Sequence, residues 1–106
     1  MTLLFLASQA FAQLTAPQET AKVRGLELYN QMKAISALPF LTVAAEAGDM
    51  DSQYYLAEAL RKNNRYMTPE AQKWYEAAAA QGDFYAMIQL GRSTDDMCKT
   101  IENCPD

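Results

Sequence analysis

From Gln18 onward apolar and small residues recur at intervals of three and four, the spacing of helices that bury one stripe. Ala21, Gly25, Leu28, Met32 and Ile35 form the first such stripe. The pattern predicts six helices, over Gln18–Lys33, Ser36–Ala47, Asp51–Lys62, Pro69–Gln81, Phe84–Arg92 and Asp95–Glu102. Their boundaries carry punctuation. Gly48 and Gly82 stand just past helix ends, where a left-handed backbone is expected. Asp83 offers a carboxylate to the first amides of the next helix. Thr68-Pro69-Glu70 supplies a capping hydroxyl, a proline at the first helical position and an acid at the positive dipole end. Four prolines and four glycines in 106 residues leave long helix interiors open and argue against a many-stranded β fold.

The helical pattern repeats. Phe40 to Ala57 (FLTVAAEAGDMDSQYYLA) aligns with Trp74 to Gly91 (WYEAAAAQGDFYAMIQLG) at an offset of 34 residues. Ala44, Ala45, Gly48, Asp49 and Leu56 match Ala78, Ala79, Gly82, Asp83 and Leu90. Phe40 matches Trp74 in kind, Ser52 and Ala57 match Ala86 and Gly91, and Ala37 matches Ala71. Small residues at these positions let two helix backbones approach closely, while Trp74 and Leu90 fill the space between pairs. The run Ala71 to Gly91 closely resembles the Sel-one-like repeat, a relative of the tetratricopeptide repeat, and Pro39 to Leu60 is a weaker copy. The resemblance covers about half the chain. It implies an all-α, right-handed superhelical solenoid of antiparallel helix pairs, here about two and a half repeats. It also implies a partner-binding scaffold. Between the pairs, where family members usually have a Gly-rich loop, this chain has Lys62-Asn63-Asn64-Arg65-Tyr66-Met67.

Composition narrows the chemistry. The net charge is −4 and the lysines and arginines are scattered, so the basic footprint of a nucleic-acid or anionic-membrane binder is not expected. Histidine is absent, which removes histidine-activated serine or cysteine nucleophiles and the commonest metal ligand. No cofactor, metal site or catalytic residue is expected. Asp95-Asp96 and the Asp49/Asp51 pair read as helix caps, and the six methionines as gap fillers.

At the N-terminus, Leu3 to Ala12 (LLFLASQAFA) is too short to span a membrane and ends in a small-x-small pattern. Residues 1–12 therefore read as a signal peptide, despite the missing positive segment before it, with a mature repeat domain over 13–106 in a periplasmic or secreted setting. In such a setting Cys98 and Cys104 are expected to pair in a terminal cap over 93–106. A straight helix holds positions six apart at about 9 Å, so pairing requires the helix to end near Glu102 or Asn103.

The expected binding surface is the inner helix of each pair, on the concave side. Tyr54, Glu58 and Arg61 share one face of the third predicted helix, with Asp51, and Leu56 and Leu60 lie on a buried one. Tyr85, Ile88 and Arg92 repeat the spacing on the fifth. Tyrosine and arginine bury large area and still hydrogen-bond, which suits a protein or peptide partner. Because Glu58 is placed on the open face, its replacement by alanine is expected to leave stability almost unchanged. Two other readings remain open: a small hydrolase of cell-wall or β-lactam type, as among cysteine-rich relatives, and a fragment of a longer repeat array.

Overall fold

The computed structural model describes residues 13–91. Residues 1–12, expected from the sequence to be a signal peptide, Arg92, the sixth predicted helix and both cysteines lie outside the described residues. Within them the fold is all-helical: α1 (Ala16–Asn30), α2 (Ala34–Glu46), α3 (Met50–Asn64), α4 (Pro69–Ala80) and α5 (Phe84–Gln89). Each helix packs on the next in sequence, and α1 also reaches α3.

The turns after α1, α2 and α4 share one mechanism. At the end of α1, the Lys33 amide donates to the Leu28 carbonyl at 2.9 Å and the Met32 amide to Tyr29 at 3.0 Å. After α2, Asp49 donates to Ala44 at 3.1 Å and Gly48 to Ala45 at 3.0 Å; after α4, Asp83 donates to Ala78 at 3.1 Å and Gly82 to Ala79 at 2.9 Å. Each pair of bonds satisfies carbonyls that the helix end leaves open, and each requires one left-handed residue. Gly48 (φ 96°) and Gly82 (φ 100°) take that conformation, as their positions predict. The first corner uses Met32 instead (φ 64°). That corrects the first apolar stripe: Met32 is 82% exposed and Ile35 66%, because the helix has already turned, while Gly25 and Leu28 are buried. Arg65 (φ 66°) is the left-handed residue after α3.

Helix starts are capped by side chains. Thr15 and Gln18 bond reciprocally, amide to side chain, at 2.9 and 3.3 Å, so α1 begins two residues before its predicted start. Asp49 accepts from the Ser52 amide at 2.9 Å, Thr68 from Ala71 at 3.1 Å and Asp83 from Ala86 at 3.1 Å. Lys33 provides no such cap for α2. The far end of α5 departs from expectation: Gly91, matched in the repeat to helical Ala57, is left-handed (φ 74°), and the helix stops at Gln89 rather than Arg92.

Small residues set the spacing of the layers. Ala37, Ala44, Ala45, Ala57, Ala71, Ala78, Ala79 and Ala86 are all buried, and Leu41, Leu56, Trp74, Tyr75 and Met87 fill the gaps between them. Gly25 is the closest approach: a Cβ there would lie 2.8 Å from the Leu41 side chain and 3.1 Å from the Leu41 amide nitrogen. Polar groups tie adjacent corners together. The Gln81 side chain donates to the Gly48 carbonyl at 2.9 Å and to Gln53 at 2.8 Å, and Gln53 donates to the Ala45 carbonyl at 3.2 Å. Lys22 of α1 pairs with Asp49 at 3.2 Å and Asp51 at 3.6 Å. Burial works against the Asp49 charge, but the Ser52 hydroxyl and amide and Lys22 outweigh it and hold the carboxyl below its ordinary range.

Two substitutions test this frame. Alanine at Gly25 gains about 0.5–1 kcal/mol of intrinsic helix preference but must displace fully buried Leu41, which costs about 1–3 kcal/mol. Gly25→Ala should therefore lower the melting temperature, and Gly82→Val should lower it as well, through about 1–2 kcal/mol of left-handed strain. A Gly25→Ala protein melting above the wild type would show that α1 and α2 are not in this close contact.

Candidate functional site

The face predicted on α3 is where the helices converge, and it is less open than its sequence suggests. Tyr54 is half-buried and its ring meets three others: Tyr55 at 5.1 Å, Tyr75 at 6.0 Å and Tyr85 at 6.0 Å between centroids. Tyr55 in turn meets Tyr29 of α1 edge-on at 5.1 Å. Five of the six tyrosines thus form a ladder across α1, α3, α4 and α5.

Glu58 is the polar anchor of that ladder. Its carboxylate accepts from the Tyr29 hydroxyl at 3.4 Å and from the Tyr75 hydroxyl, which comes from α4. One side chain of α3 therefore bonds groups on two other helices. The expectation that Glu58 is dispensable for stability is corrected: its removal leaves two phenols without their acceptor. Burial, and then the Glu58 charge, push the Tyr54 hydroxyl up to about 12. Burial and the Glu58 bond also raise Tyr75, against a smaller opposing pull from Arg61. Tyr29 is raised by burial, with Lys62 pulling the other way. Lys62 itself lies 4.4 Å above the Tyr29 ring. Tyr29 and Tyr75 are the donors to Glu58.

Beyond Glu58 the face opens. Arg61 donates through Nη1 to the Gln89 side chain of α5. Tyr85 and Ile88 are 68% and 56% exposed on α5, and Phe84 is 48% exposed beside them. Among the sequence-predicted residues, the structure brings Tyr54, Glu58, Arg61 and Tyr85 into one connected surface, with Ile88 on the same short helix as Tyr85. Sequence reasoning missed Tyr29, Lys62 and Tyr75. Each joins the site through a contact between separate helices, for which no local spacing gives a signal.

A shallow cleft of about 320 Å³ is lined by Glu58, Arg61, Lys62, Arg65 and Gln89. A second, of about 450 Å³, adjoins it, and its walls include Tyr29, Met32, Lys33, Ile35, Lys62 and Arg65. Among the described residues no group of three or more potential metal ligands gathers, and no helix is long and apolar enough to cross a membrane. Comparison with protein-family models, with curated proteins and with solved structures returned no match.

The Glu58 arrangement has two measurable consequences. Glu58→Ala should destabilise by about 1.5–3 kcal/mol, the range for hydrogen bonds to a charged group, and Glu58→Gln by less because an acceptor remains. The raised Tyr54 hydroxyl favours the folded state only while protonated. Its contribution is complete below the unfolded value of 10.0 and is lost as pH rises toward about 12. Melting temperature should fall across that window, and fall less in Tyr54→Phe. A Glu58→Ala protein as stable as the wild type would mean that the ladder does not depend on this carboxylate.

Proposed function

We propose that the chain is a non-catalytic interaction module that takes a protein or peptide segment on the face shared by α3 and α5. In this reading it is a right-handed solenoid of the Sel-one-like kind, working in a periplasmic or secreted setting. The observation that supports it most is the contact of Tyr54 with Tyr85 across the two helices, beside the bond from Arg61 to Gln89. These contacts lay the two faces side by side, so that Tyr85 and Ile88 continue a surface begun at Tyr54. Large exposed apolar side chains next to anchored tyrosine and arginine are the composition of a docking surface. The repeat reading is supported by the two Gly-Asp corners, 34 residues apart in sequence, which make the same pair of hydrogen bonds and the same side-chain cap.

A random peptide library displayed on phage and selected on the full chain tests the binding face. The enriched peptides should bind Tyr85→Ala and Ile88→Ala about tenfold more weakly, a difference of about 1.4 kcal/mol, with Ile88→Ala melting close to the wild type. No enrichment, or peptides indifferent to both substitutions, would remove this face as the site. Export is checked separately by intact mass of protein recovered from the producing cell. The expected N-terminus is Gln13, and Met1 retained in a cytoplasmic fraction would refute it.

A further inference from the structure

The two adjoining clefts hold a concentration of charge that the sequence disperses. Lys33, Arg61, Lys62 and Arg65 are four of the nine lysines and arginines of a chain whose net charge is −4, and all four line these clefts. The larger cleft has no acidic residue in its walls. The smaller has only Glu58, whose carboxylate already accepts from two phenols. The ion pairs among the described residues are both made by Lys22. The one Glu58 charge faces Arg61, Lys62 and Arg65 in the smaller cleft, so the two clefts together keep an excess of positive charge.

The backbone of the larger cleft adds an independent observation. Among the described residues, the non-glycine residues with positive φ are Met32 and Arg65, and both line it. The corners at Gly48 and Gly82 use glycine followed by a capping aspartate. The corner at Met32 makes the same backbone bonds with Met32 and Lys33 in those two places. It therefore carries left-handed strain and lacks the side-chain cap, and both replacements put their side chains into the cleft wall. Strain held where glycine would relieve it points to use of the side chains.

We propose that these clefts bind an acidic peptide segment, with apolar side chains against Met32 and Ile35 and carboxylates against Lys33, Lys62 and Arg65. The segment would continue past Arg61 toward α5. The inference rests on the peptide-binding reading above and specifies its ligand. A polyphosphate backbone is the poorer fit: the exposed Met32 and Ile35 side chains in the wall offer it nothing to bind, and the Tyr29 ring that could stack a base is covered by Lys62.

Fluorescence anisotropy of the full chain tests this with three labelled probes: a decapeptide of alternating Leu and Glu, one of alternating Leu and Gln, and a ten-nucleotide oligothymidylate. The Leu-Glu peptide should bind about tenfold or more tightly than the Leu-Gln peptide, and the difference should shrink between about 50 and about 300 mM salt. Lys62→Glu and Arg65→Glu should each abolish that preference. Arg65→Gly should weaken the Leu-Glu peptide while its melting temperature holds or rises, a combination that a purely structural arginine would not give. Equal binding of both peptides, tighter binding of the oligothymidylate, binding of none of the three, or an Arg65→Gly protein with unchanged affinity would each overturn the proposal. If the phage selection yields neutral peptides that depend on Tyr85 while the Leu-Glu preference is missing, the acidic ligand fails and the interaction module stands.

Discussion

A helix leaves its last carbonyls without donors, and in a stack of short helices those ends are too numerous and too close to the core to be left to solvent alone. This chain meets the constraint in the same way after α1, α2 and α4: one left-handed residue folds the backbone so that its own amide and the next one bond back into the helix. That single device ends the helix, reverses the chain and delivers the following residue to the start of the next helix. Where that residue is Asp49 or Asp83, its carboxylate caps the new helix at once. The helices can then run short and pack consecutively because each turn is compact and internally bonded.

Between the corners, packing rests on two kinds of side chain. Alanines, and Gly25 against Leu41, bring the helix backbones close. Tyrosines span the wider gaps and end in hydroxyls that need acceptors. Glu58 is placed to accept from two of them, so the same residue that gives α3 a polar face also ties α1 and α4 to it. The consequence for function is a division of the surface. Tyr54 and Glu58 are largely committed to holding the helices together. Tyr85 and Ile88, both largely exposed, and the cations lining the two clefts face outward, and the proposed acidic segment uses these rather than the Tyr54 and Glu58 anchors behind them.

Much of the architecture was legible before any tertiary contact was known. Five of the predicted helices, the two left-handed glycines, the Asp83 and Thr68 caps and the burial of Leu56 and Leu60 follow from local chemistry. Helix period, capping and backbone freedom act over three to six residues, so neighbouring letters carry them. Where the local signal was ambiguous the reading slipped. Met32 fits an apolar period as well as a core residue would, and nothing in its side chain marks it as left-handed. Gly91 occupies a helical place in the repeat, yet ends α5.

The partnerships across helices were decided by the tertiary structure alone. Tyr29 and Tyr75 lie 29 and 17 residues from Glu58, and their bonds to it follow from how α1 and α4 are angled against α3. Lys33 and Arg65 lie far apart in a chain that reads as acidic with scattered cations, and the stacking of turns makes them walls of one cleft. A side chain's face is set by helical period and can be read from spacing. Which other face it meets depends on the crossing of whole helices, and that is fixed by the summed packing of the Gly25–Leu41 contact, the alanine layers and the tyrosine ladder, no one of which is local.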